Sequence, residues 1–119
     1  MSKERPAVDI KNKMEVHLAI ELFQNVTLRP VLKLQHELIL KLFHSHIDKL
    51  SINWNELNKL KQSETVNNQF IKNIQIRNLI LGVIVGQLDE VEIEKYLIDC
   101  REYNKRIIQM TIQRIISTL

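Results

Sequence analysis

A chain of 119 residues, 45% apolar and 26% charged, has the composition of one globular domain rather than of a disordered or fibrous polymer. Two glycines and two prolines supply too little turn chemistry for an all-β fold, and a lone cysteine, Cys100, excludes an internal disulfide framework. The formal net charge of +3 is too mild to demand a nucleic-acid partner.

Residues 1–12 are polar and charged, with Pro6 and no helical pattern, and are expected to form a disordered N-terminal arm. They read as neither a signal peptide nor an anchor, and with one free thiol the cytoplasm is the expected compartment. Residues 13–119 then read as a single helical domain. A first helix is predicted over 13–25, where Met14, Leu18, Leu22 and Val26 recur at helical spacing and Ile20 and Phe23 widen the face. Asn25-Val26-Thr27 is read as its end, with Thr27 free to cap the next helix. A second helix is predicted over 29–50, opened by Pro30, whose missing N–H costs nothing in a first turn. Its apolar face is wide and its polar stripe narrow (Lys33, Glu37, Lys41, His44, Asp48), the pattern of a helix at the centre of a bundle. Trp54, in the loop after it, is a candidate peg against the bundle. A third helix is predicted over 55–72, weak in its middle at Lys61–Thr65.

The most apolar stretch is Leu79–Gly86, eight residues without a polar side chain. Its β-branched content suits a strand, but no second strand pattern exists to pair with it, so a helix over 74–86 is predicted. Asn73 is its expected N-cap and Gly86 its left-handed terminator. On that helix Gly82 and Gly86 share a face, a candidate helix contact within the chain or with a second copy. The run is far short of the roughly 20 residues that a membrane span needs. Arg77 and Asn78 lie in the first turn of this helix, a candidate buried polar tie to an acid such as Glu92 or Glu102. Asp89 and Glu92 form a capping box at the start of the last helical stretch, 90–117. A second such pair, Asp99 and Glu102, predicts a bend near 99. The fold class expected is therefore all-α, a compact bundle of about five helices.

Three phrases occur in order: Leu28-Arg29-Pro30-Val31-Leu32-Lys33-Leu34-Gln35, Arg77-Asn78 leading through Gly82 to Gly86-Gln87, and Tyr103-Asn104-Lys105-Arg106. The ordering resembles a family of small uncharacterised helical proteins of Bacteroidetes-type bacteria, some of which carry the label "glyoxalase". The resemblance runs from about residue 20 to 117 and implies a helical fold with no activity attached. Metal-dependent glyoxalases use βαβββ units with His and Glu ligands on strands, and no such strands are read here.

Catalytic and metal motifs are missing. His44 and His46 are two apart, so on a helix they point about 200° from each other and cannot share a metal. His36 and His46 read as core or interface histidines. A convergence of His17 and His36 with Glu21 or Glu37 would need helices 1 and 2 to pack antiparallel. Cys100 has no sequence-local base and reads as a buried, inert thiol. The catalytic, cofactor and metal sets are thus expected to be empty, which leans against an enzyme; a small enzyme or metal protein of unrecognised type ranks third. The favoured function is a non-enzymatic interaction module that associates with itself or another helical protein, without cofactor or membrane. The alternative is a nucleic-acid-binding or regulatory protein using Arg101, Lys105, Arg106 and Arg114 on the last helix, opposed by the acids from Asp89 to Glu102.

Overall fold

Asn73 and Asp89 divide the second half of the chain. The Asn73 side chain accepts from the N–H groups of Gln75 and Ile76, at 3.0 and 3.4 Å, and opens a helix over Ile74–Val85. Asp89 accepts from the Glu92 N–H at 2.8 Å while the Glu92 carboxylate accepts from the Asp89 N–H at the same distance. This closes the expected capping box before a helix over Glu90–Ile98. These elements belong to a computed structural model that describes the backbone of residues 5–119 and the side chains of 11–119. In chain order its α-helices are α1 (Arg5–Phe23), α2 (Arg29–Leu34), α3 (His36–Lys49), α4 (Lys59–Lys72), α5 (Ile74–Val85), α6 (Glu90–Ile98) and α7 (Cys100–Ile116). Among the described residues there is no strand: the fold is all-α.

Several expected boundaries move. The arm expected over 1–12 lies partly outside the described residues, and from Arg5 onward the backbone is helical. Asn25-Val26-Thr27 does not end the first helix. Residues Gln24–Leu28 form a π segment that carries it on into α2, with the Arg29 N–H reaching back five residues to the Gln24 carbonyl. The reason is Pro30, which lies in the first turn of α2 as expected but with helical backbone before it as well. It has no N–H for the Val26 carbonyl, and its ring crowds that carbonyl, so the ladder widens by one residue. The expected second helix breaks at Gln35, between α2 and α3. The third starts late, after a 3₁₀ turn over Trp54–Glu56, where the Asn58 side chain caps α4 through the Lys61 N–H. Gly86 is right-handed, not left-handed (φ −63°, ψ −16°). The bend near 99 is present, but the Asp99 side chain caps nothing.

The core fills the space between α3, α4, α5 and α7. Phe43 is fully buried, stacked on Phe70 at 5.8 Å and met edge-on by Trp54 at 5.7 Å, so Trp54 is the expected peg. Ile39 and Ile47 flank Phe43, and Ile80 and Ile84 of α5 and Ile107 and Ile115 of α7 complete the interior. The hub is α7, which touches α2 to α6 and the π segment, rather than α5. The apolar run of α5 is buried on one side only; Ile74, Leu79 and Gly82 lie outside. One element leaves the bundle. From Lys11 to Ala19 every residue of α1 is exposed, and the molecule measures 62 × 31 × 22 Å.

Candidate functional site

Apolar side chains on α1 and the π segment that continues it span an arc far wider than their contact with the bundle. At about 100° per residue, Met14, Leu18, Leu22 and Val26 descend one flank, and Ala19, Phe23, Val16 and Ile20 continue round to the bundle side. Only Ile20 and Phe23 of these are buried. Leu18 remains 62%, Leu22 65% and Val26 65% exposed. Across from them, Ile98 at the end of α6 is 84% exposed, more than any other large apolar side chain described. Between the two helices runs a cleft of about 590 Å³, with Val16, Ala19, Leu22 and Val26 on one wall and Lys95 and Ile98 on the other.

The floor of the cleft is aromatic. Phe23 meets Tyr103 at 4.7 Å between ring centres, tilted by 56°, and Tyr96 stacks on the far side of Tyr103 at 6.3 Å. The Tyr96 hydroxyl donates to the Asn104 side-chain oxygen, which ties α6 to α7. Burial raises the pKa of both phenols; Asp99 adds to the rise at Tyr103, and Arg106 opposes it. Tyr103 therefore presents a neutral ring to the cleft at any ordinary pH, with the neutral ring of Tyr96 stacked against it. Arg106 fixes the base of the projecting helix: it donates to Glu102 at 3.0 Å and to the Gln24 side chain, in the π segment, at 2.8 Å. Beyond it a second hollow of about 470 Å³ opens between His17, Asp99, Glu102 and Arg106.

No known family model, curated protein or solved structure matches this chain. The functional reading therefore rests on the geometry alone.

The residues singled out from the sequence fall elsewhere. Gly82 and Gly86 are both exposed, and a Cβ added at Gly82 would meet nothing within 4 Å, so no neighbour within the chain uses that face. Arg77 is half-buried without an ion pair among the described residues: Glu102 is taken by Arg106, and Glu92 by the cap of α6. The expected tie through Arg77 is thus not made, and Asn78 is exposed. The four basic residues do not form one face. Arg101 and Lys105 are exposed one turn apart, Arg106 is held by Glu102, and Arg114 lines a separate hollow with Arg29.

The histidines are individually placed. His46 bonds Gln69 at 2.8 Å between α3 and α4, and His44 packs edge-on to Trp54 at 5.4 Å. His17 pairs with Glu21 at 3.1 Å on the surface of α1, apart from His36, whose buried Nδ1 has no partner. Among the described residues no three His, Cys, Asp or Glu side chains converge as metal ligands would. Cys100 is exposed, not buried, at the first position of α7 after the break at Asp99. No helix among the described residues is long and apolar enough to cross a membrane. The cleft itself had a sequence signal: the apolar arc of α1 is wider than one packing contact needs.

Proposed function

We propose that this chain is a non-enzymatic helical interaction module that self-associates through the apolar face of α1. The observation that carries the reading is the unpaired flank of Leu18, Leu22 and Val26 running beside an apolar cleft. Scattered exposed apolar residues are ordinary; a contiguous patch rimmed by charge marks a contact surface. Neutral aromatic rings on the floor suit an apolar partner and offer nothing to an anion or a metal. The exposed thiol of Cys100 is consistent with a reducing compartment, and the cytoplasm is part of the proposal. So is a relationship to the small helical bacterial proteins that the Leu28–Gln35 and Tyr103–Arg106 phrases resemble.

Light scattering during size exclusion tests this directly. The expected mass is twice 14.1 kDa for the natural chain. Leu22→Asp is expected to halve it while circular dichroism keeps its helical shape, because Leu22 makes little contact with its own bundle. A natural chain that stays monomeric over the accessible concentration range would sink the proposal.

A further inference from the structure

We infer that the cleft between α1 and α6 is filled by the α1 helix of a second copy, each copy lending its helix to the other. This rests on the self-association proposed above and names what enters the cleft. Ridge and cleft share Leu22 and Val26 and so form one continuous surface, as an isologous two-fold contact requires: the ridge of one copy enters the cleft of its mate, and the reverse contact forms by symmetry. The available area fits a copy. Met14, Val16, Leu18, Leu22, Val26 and Ile98 together expose on the order of 700 Å², close to the roughly 800 Å² that each partner buries in a standard stable interface.

Charge agrees with the same occupant. The ridge carries one residue of each sign, Lys11 and Glu15, and the rim of the cleft one of each, Lys95 and Asp99. A second copy therefore meets this face with no net charge opposed, whereas a strongly acidic or basic partner gains nothing here. The projecting part of α1 also needs a surface. Every residue from 11 to 19 is exposed, and the apolar side chains of Met14, Val16 and Leu18 keep more than half of their surface in water, so they lack a full contact. A partner's cleft supplies that contact at the position where the chain's own bundle ends.

The test compares Leu18→Asp on the ridge with Ile98→Asp on the cleft wall, by light scattering and by the concentration dependence of the molar mass. Both side chains are mostly exposed, so both variants are expected to stay folded by circular dichroism. Each is expected to raise the dissociation constant by about 100-fold or more, since each buries an unpaired carboxylate in the contact. Mixing Leu18→Asp with Ile98→Lys is expected to restore a dimer. One pairing then sets Asp against Lys, and the other keeps the natural Leu18 and Ile98. A dimer broken by Leu18→Asp but indifferent to Ile98→Asp would keep self-association and overturn the reciprocal seating. A dimer indifferent to both and broken by Gly82→Leu would move the contact to α5 and overturn the reciprocal seating as well. A natural chain that is monomeric, yet takes up a synthetic amphipathic helix in the cleft, would overturn both this inference and self-association and assign the cleft to a foreign helix.

Discussion

Replacing Gly82 by alanine is expected to stabilise the protein. Gly82 stands in the interior of α5 with ordinary helical backbone, and an added methyl group would meet nothing within 4 Å. Glycine in such a position loses more backbone freedom on folding than alanine does, at a cost of about 0.5–1 kcal/mol. No packing term opposes that gain, because the face is open to solvent. For a domain of this size the gain corresponds to a rise of about 2–5 °C in the unfolding midpoint. Gly86→Ala supplies the opposite sign four residues away. Its Cβ would lie 2.9 Å from the Gly82 carbonyl oxygen, and backbone cannot step aside as a side-chain tip can. Thermal unfolding followed by circular dichroism, at matched concentrations of the two variants and the natural chain, reads both. A clearly lower midpoint for Gly82→Ala would refute the reasoning and show that some neighbour approaches that backbone closely.

The chain has only two tyrosines, Tyr96 and Tyr103, so its phenolate absorbance reports the floor of the cleft and the ring stacked against it. Burial first, assisted at Tyr103 by Asp99, raises both above the ordinary value of 10.0. The folded state then holds protons that the unfolded chain has released. Their contribution to stability is fully present below pH 10.0 and is lost as pH rises through the raised values. A spectrophotometric titration of the native protein is expected to lag that of the denatured chain, and coincident curves would show open rings. Asp89→Ala is expected to lose about 1 kcal/mol in urea unfolding, with the slope unchanged, by removing the acceptor from the cap of α6. A loss within error would mean that water serves the Glu92 N–H equally well.

Much of the helical architecture was legible because short-range chemistry controls it. The caps at Asn73 and at Asp89 with Glu92, the break near 99 and the position of Trp54 all depend on residues within a few positions of one another. What escaped depends on the distant chain. Asn25-Val26-Thr27 has the propensity of a breaker, yet the helix continues through it because Leu28 and Leu32 must both reach the core. The Leu79–Gly86 run, the most apolar stretch of the chain, is buried on one side only, since α3, α4 and α7 all pack on that side of α5. Arg77 was expected to pair with Glu92 or Glu102, but both carboxylates have nearer donors. The apolar face of α1 was visible at once. Periodicity reports that a face is apolar; it does not report whether the chain itself covers it.

The π segment sets the direction in which that face looks. Widening the ladder between Gln24 and Leu28 puts one residue more into the turn than an α-helix would use. Everything upstream is thereby rotated by about 100° against the bundle, at no cost to the packing downstream of Pro30. The segment works as a phase adjuster on a rod: Leu28 and Leu32 keep their seats while the rod above them is dialled to a new bearing. A chain shortened by one residue in this stretch would keep Leu28 and Leu32 seated but would turn Ile20 and Phe23 out of their buried places. Its row of leucines would be carried off the side on which α6 ends, and ridge and cleft would no longer share a face.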